Sequence, residues 1–205
     1  MIEAGTRDQL DWRVGSWLFL DVGFAAKKSS SGLLICNGEP CCMEFGDATR
    51  RIIDHVKHAS STTNLVIEAP LSVCFNKDGN PTGRLIEKET REGKTQTRYW
   101  FMGPGCPVMV AAMYLIRHIC ESSPTSQVRL FEGFVSYKDP KVKTDHRADV
   151  ELLREVVKDP KHFAGCIINA DCLARPGDKI ISAFKVCGLD CGVPLVIKRH
   201  ADGGR

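Results

Sequence analysis

The chain has 205 residues, of which 43% are hydrophobic and 26% are charged, a composition typical of a globular domain. The net charge of +3 permits nucleic-acid binding but is too small to indicate it. No apolar run approaches the roughly 20 residues that span a bilayer, and the charged N-terminus lacks the apolar segment of a secretory signal. We therefore expect a single cytoplasmic domain over residues 1–205, with no membrane association.

The ten cysteines agree with a reducing compartment. Most of them lie among apolar residues, as Cys36, Cys120 and Cys166 do, and there they are expected to behave as small core residues. No CxxC pair is present, so the paired ligand spacing typical of structural zinc sites is missing.

The first third of the chain predicts three strands and a helix. Ser16 to about Val22 is an apolar strand, and Gly32–Cys36 follows it after a short polar connection, which is a hairpin pattern. Residues 41–45 are a candidate third strand. Apolar residues at helical spacing within 46–60 predict a helix that follows these strands.

A further short strand is predicted over Asn64–Ala69, and Pro70 ends it. Residues 75–98 are polar, charged and rich in glycine, which is typical of a surface loop or a flap that covers a bound strand.

The second half of the chain alternates between helices and strands. The predicted elements are a helix over 104–120, a strand over 128–134, a helix over 145–157, an ambiguous apolar segment over 163–174, a last helix over 177–187 and a closing strand over 192–198. An antiparallel meander followed by alternating helices and strands predicts an α/β fold, with a mixed sheet flanked by helices.

Acidic residues occur at unusual places in this pattern. Asp21 and Glu68 end apolar strands, Glu132 lies inside one, and Asp178 opens the predicted last helix. Taken singly, these acids are explained by turns, a helix cap or a buried salt bridge. Clustered carboxylates keep their charge only when cations lie among them, and hard ions such as Mg²⁺ prefer oxygen ligands. The set therefore indicates a metal site.

Three short motifs resemble the RNase H-like superfamily: "LDVG" at 20–23, "VIEAPL" at 66–71 and "GDKIISAF" at 177–184. The first is similar to the Asp-x-Gly of RuvC-type and YqgF-type members, and the order of the motifs most resembles the uncharacterised predicted nucleases with an RNase H fold. The resemblance covers residues 16 to about 190. It implies that Asp21 bridges two ions, that Glu68 and Asp178 each bind one, and that Glu132 supports the site or contacts the substrate.

The sequence departs from the family pattern in the last helix, where no second acid accompanies Asp178. Asp145 and Asp149 place two acids about one turn apart on another predicted helix, and they are the alternative ligands. His146 is either a proton-transfer group or a surface histidine. Basic side chains could contact phosphates or form a solvated charged face; these are Lys27, Lys28, Lys138, Lys141, Lys143 and Arg147.

The function expected from these observations is hydrolysis of phosphodiester bonds in DNA or RNA by a nuclease that uses two Mg²⁺ or Mn²⁺ ions. A catalytically inactive binding module with the same fold is the first alternative. The second is an actin-like nucleotide-binding enzyme, with the "FMGPG" at 101–105 as a phosphate turn. The chain could act as a homo-oligomer or with a partner protein.

Overall fold

A computed structural model describes residues 1–23, 30–91, 94–97, 105–136 and 146–200. These residues contain three α-helices, α1 (Phe45–His58), α2 (Gly105–Glu121) and α3 (His146–Lys158). Each helix has apolar residues recurring every three or four positions, as a helix that packs on a sheet requires.

The strands are mostly short, as is usual in a mixed sheet. In chain order they are β1 (Ile2–Ala4), β2 (Ser16–Asp21), β3 (Ser31–Ile35), β4 (Cys41–Met43), β5 (Thr63–Glu68), β6 (Ser72–Phe75), β7 (Pro81–Thr82), β8 (Lys88–Arg91), β9 (Lys94–Thr97), β10 (Val128–Ser136), β11 (Ile167–Ile168), β12 (Lys179–Ser182) and β13 (Val196–His200). Short 3-10 helices cover Arg7–Gln9, Leu85–Glu87, Ala164–Cys166, Ala170–Cys172 and Ala183–Cys187.

The main sheet has the order β11-β13-β10-β5-β2-β3-β4, and β1 adds to it by pairing with β10. The strands β2, β3 and β4 form an antiparallel meander, whereas β5, β10 and β13 run parallel to β2. Parallel neighbours need a crossover between them, and α1, α2 and α3 lie in the connections that lead to β5, β10 and β13. The chain is therefore an α/β protein with a mixed sheet flanked by helices, as the sequence pattern predicted.

The centre of the sheet is covered on both faces. Leu18 and Leu20 of β2 pack with residues of α1 and α2 in one core cluster. Trp17 and Phe19 alternate with them and pack with residues of α3 in a second cluster. A strand buried on both faces is apolar at successive positions, which explains the unbroken run before Asp21.

Two parts of the expected secondary structure were wrong. The predicted helix over 177–187 is instead β12 followed by a 3-10 helix. Ile180 and Ile181 are β-branched and favour a strand, and β12 pairs with β6 in a second sheet of order β12-β6-β7. The segment 75–98 is not a loop throughout, because β7, β8 and β9 form within it and Arg84, Ile86 and Glu87 are buried.

The nine cysteines whose side chains are described are free thiols. Only Cys74 and Cys191 among them are buried, and Cys120 is exposed, so the expectation that most of them fill the core was wrong. Within the described ranges, no helix combines the length and the apolar character that crossing a membrane requires.

Candidate metal centre

The centre begins with two carboxylates at the ends of neighbouring strands. Asp21 is the last residue of β2 and Glu68 the last of β5, and the parallel register places them directly opposite each other. Both are buried. Residues in register on parallel strands point to the same face, and the positions of Phe19 and Val66 assign both acids to the face that α3 covers.

The helix α3 supplies two further side chains to this point. His146 is its first residue and Asp149 lies three positions later, so one turn of helix brings both to the same side. His146 Nδ1 lies 2.5 Å from Asp21 Oδ2. Asp21, His146 and Asp149 each offer a ligand atom, and these atoms all lie within 4.8 Å of one another.

Two glycines, Gly32 in β3 and Gly23 just after β2, allow α3 to come this close. Gly32 of β3 is in register with Asp21, and a Cβ placed on it would lie 2.1 Å from the carbonyl oxygen of His146. A Cβ on Gly23 would lie 1.4 Å from the carbonyl oxygen of Ser30 and 2.9 Å from His146 Cε1. The glycine of the "LDVG" motif therefore serves the packing of the chain around His146.

The electrostatic environment suits a cation. Asp149 is fully buried, and the side chains of Asp21 and His146 are 5% and 34% exposed. The positive end of the α3 dipole offsets part of the cost of burying these carboxylates, but it amounts to only about half an elementary charge, less than the charge of two carboxylates. Desolvated, like-charged carboxylates gain most from a bound cation.

The donor set fits a divalent ion in both chemistry and size. Opposite ligands of an ion bound at about 2.1 Å lie about 4.2 Å apart, and the three ligand atoms lie within 4.8 Å of one another. Carboxylates suit Mg²⁺ and Mn²⁺, and an imidazole shifts the preference toward Mn²⁺ and other transition metals. His146 is the one partly exposed side chain of the three, so it marks the side of the centre that is accessible from solvent.

Glu132 does not join these residues, because the alternation along β10 turns it to the opposite face. Leu130 packs in the cluster that contains α1 and α2, and Phe131 packs in the cluster that contains α3. Glu132 is fully buried against Arg84, whose Nη1 lies 2.7 Å from Oε1 and 2.8 Å from Oε2. Burial raises the pKa of Glu132, and the guanidinium of Arg84 opposes that rise. The direct catalytic or substrate-contacting role expected for Glu132 does not agree with this position.

Asp178 also lies elsewhere. It precedes β12, whose first residue, Lys179, is in register with Phe75 at the end of β6 remote from Glu68. The helix that was expected to carry Asp178 to the ions does not form there. Asp149, the alternative ligand, takes that place in the cluster.

The remaining sequence predictions fall mostly on residues that are not described. Lys27, Lys28, Lys138, Lys141, Lys143 and Asp145 lie outside the described ranges. Arg147 is described, and it is exposed in the first turn of α3, next to His146. Its position brings a cationic side chain beside the centre.

Sequence reasoning assigned His146 to proton transfer or to the surface and missed it as a candidate ligand. The signal that could have found it is the His-x-x-Asp spacing of residues 146–149 at the start of an amphipathic helix. The buried Arg84 was missed because it lies in the mostly polar segment 75–98 and its partner Glu132 is 48 residues away in the chain.

Comparison of the chain with protein-family models, with curated proteins and with solved structures finds no match. The function therefore has to be inferred from the site itself.

Proposed function

We propose that the protein is a divalent-metal-dependent nuclease with an RNase H-like fold, which hydrolyses phosphodiester bonds in nucleic acid. The observation that carries the proposal is the convergence of Asp21, His146 and Asp149 within 4.8 Å at the end of β2. Glu68 is outside this group of three, and it ends β5 in register with Asp21 on the neighbouring strand.

The arrangement of the sheet supports the RNase H-like part of the proposal. The meander β2-β3-β4 leads into α1 and then into β5, which lies parallel to β2 on the side away from β3. The strand β10 then joins next to β5, and α3 follows it. A mixed sheet of this kind, with an acid at the end of its first central strand, is what the resemblance of the "LDVG" and "VIEAPL" motifs implied.

Asp21, His146 and Asp149 would hold one ion, and Asp21 with Glu68 would hold a second. When bound, such ions supply Lewis-acid stabilisation of the phosphate charge and activation of water. Mn²⁺ and Mg²⁺ are the candidates, with Mn²⁺ favoured by the imidazole.

Two side chains beside the ions, His146 and Arg147, would orient the ligands and the substrate. The contact between Nδ1 of His146 and Asp21 sets the orientation of the imidazole. When Nδ1 donates to Asp21, Nε2 carries the lone pair with which His146 would bind the ion. Arg147 would bind a phosphate and align the backbone of the nucleic acid, because Arg pairs well with phosphate oxygens.

The proposal is tested by the cleavage of labelled single- and double-stranded DNA and RNA with Mn²⁺ or Mg²⁺. Asp149→Asn removes a proposed ligand with little change in volume, and Asp178→Asn is the matched control on an acid outside the cluster. We expect Asp149→Asn to cleave more than about 100-fold more slowly than the wild type, because a bound metal stabilises the charge of the transition state by several kcal/mol. We expect Asp178→Asn to cleave at nearly the wild-type rate.

Asp21→Asn provides a second test if the buried Asp149 does not tolerate substitution. Circular dichroism and urea unfolding would establish that each variant folds. Equal loss in the Asp149 and Asp178 variants would contradict the assignment of the ligands. Metal binding by the wild type without cleavage of any substrate would favour a catalytically inactive binding module.

A further inference from the structure

A buried ionic cluster lies on the face of the sheet opposite the candidate metal centre. It consists of Arg84, Glu87 and Glu132, whose side chains are 1% exposed or less. Arg84 Nε donates to Glu87 Oε1 at 2.8 Å, and Arg84 Nη1 donates to Glu132 Oε2 at 2.8 Å. Two carboxylates thus enclose one guanidinium in the interior.

The cluster binds the backbone that leaves β5. Glu132 Oε2 accepts a hydrogen bond from the Leu71 N–H at 2.8 Å, and Arg84 Nη1 donates to Ser72 Oγ at 2.9 Å. Only Ala69 and Pro70 separate Leu71 from Glu68. The chain is therefore fixed three residues after the carboxylate that ends β5.

Glu132 is also connected to Glu68 through the sheet. The next residue, Gly133, is in register with Glu68, so β10 supports Glu68 through strand pairing while Glu132 holds the segment beyond it. The two connections restrict both the strand that carries Glu68 and the turn that follows.

Stability alone gives a weak reason for such a cluster. Desolvating three charged groups costs several kcal/mol per ion, and apolar replacements of buried ion pairs are often equally stable. Outer carboxylates and hydrogen bonds, by contrast, orient the ligands of metal sites, and their loss typically lowers metal affinity about 10- to 100-fold.

We infer that Glu132 is a positioning residue for Glu68: it accepts the Leu71 N–H, holds the end of β5 in place and so aims the Glu68 carboxylate at the metal centre. This inference rests on the proposed function of that centre. Arg84 keeps the Glu132 carboxylate oriented toward Leu71. Glu87 neutralises Arg84, and among the described residues it forms no hydrogen bond to the segment 69–71.

The experiment compares Glu132→Met with Glu87→Met in the full-length chain. Both substitutions remove a buried carboxylate from Arg84, but only the first removes the acceptor of the Leu71 N–H. Glu132→Gln tests rescue, because its carbonyl oxygen can accept both bonds that Oε2 accepts, while its amide group replaces Oε1 and removes only the charge contact with Arg84. The readouts are Mn²⁺ affinity by calorimetry, amide hydrogen exchange over residues 66–72 without metal, and urea unfolding.

We expect Glu132→Met to weaken Mn²⁺ binding about 10- to 100-fold and to speed exchange at Leu71 relative to Glu87→Met. We expect the Mn²⁺ affinity of Glu87→Met to stay within about threefold of the wild-type affinity, even if both methionine variants lose similar stability. We expect Glu132→Gln to recover most of the affinity. Equal affinities in the two methionine variants, or unchanged exchange at Leu71 in Glu132→Met, would overturn the inference. If Glu132→Met does not fold, Glu132→Asp is compared with Glu87→Asp. Both keep the charge beside Arg84, but the shorter side chain at 132 withdraws the acceptor from the Leu71 N–H, so only Glu132→Asp is expected to show faster exchange at Leu71 and weaker Mn²⁺ binding.

Failure of the wild type to bind Mn²⁺ is a separate result. It would overturn the metal centre, and with it the positioning role, whatever the variants show.

Discussion

Replacing Gly32 with alanine tests the geometry of the centre without touching any proposed ligand. An alanine Cβ at this position would lie 2.1 Å from the carbonyl oxygen and 2.6 Å from the carbonyl carbon of His146. Non-bonded heavy atoms require about 3.5 Å, so the start of α3 has to move away from β3 by about 1.4 Å. Both contacts are with backbone atoms, so a change of side-chain rotamer cannot relieve them.

A shift of this size has two consequences. Overpacking typically costs about 1–3 kcal/mol, which urea unfolding would measure. Metal ligands need to lie within about 0.2 Å of their proper distances, so displacement of His146 and Asp149 should weaken Mn²⁺ binding at least about tenfold. Calorimetric titration with Mn²⁺ measures this second effect.

Gly165 provides a matched control. A Cβ added there meets no atom within 4 Å, so Gly165→Ala should leave both the unfolding free energy and the Mn²⁺ affinity near their wild-type values. Mn²⁺ affinity that stays at the wild-type level in Gly32→Ala would refute the reasoning that the close approach of α3 to β3 builds the centre.

Three further predictions concern single side chains. Burial lowers the pKa of His55; the unfolded chain therefore takes up its proton first on acidification, and stability falls as the pH drops through about 6.5. Thermal unfolding at pH 7.5 and 5.5 should show a smaller decrease in Tm for His55→Gln than for wild type, and an equal decrease would contradict this account. Arg84→Met leaves two buried carboxylates without their cation and should cost about 3–5 kcal/mol at neutral pH. Burial raises the pKa of Glu132 in the folded state, so the buried carboxyl takes up a proton more readily on acidification and the cost of losing Arg84 should shrink. Urea unfolding at pH 5 and pH 8 measures the difference, and a cost that grows in acid would contradict this account. Arg147→Ala should weaken nucleic-acid binding and reduce the salt dependence of that binding by about one phosphate contact, with the Mn²⁺ affinity unchanged. Fluorescence anisotropy at several salt concentrations measures this, and an unaltered salt dependence would argue against the phosphate contact.

Local patterns in the sequence were sufficient to predict most of the elements. The apolar run before Asp21, the hairpin that follows it and the periodic helices 46–60, 104–120 and 145–157 all correspond to elements of the structure. These patterns are set by neighbours within a few positions, namely the two-residue period of a strand and the 3.6-residue period of a helix. The segment 177–187 was assigned wrongly because a short apolar run flanked by charges is compatible with either period.

The choice of residues at the candidate site depended on contacts that are distant in sequence. The sequence by itself determined that acids end β2 and β5, because Asp21 and Glu68 each close an apolar run. Tertiary packing decided that α3, rather than a C-terminal helix, meets them, since glycine at position 32 leaves room for the backbone of His146.

Tertiary structure also decided the role of Glu132. Its place inside a strand is evident from the sequence, but the face to which it points depends on the register of β10 against β5, and a shift of one residue would reverse it. Its partner, Arg84, lies 48 residues earlier in the chain. Local sequence determines which elements form, whereas only the packed sheet determines which charged side chains meet, because that meeting depends on strand register and helix placement together.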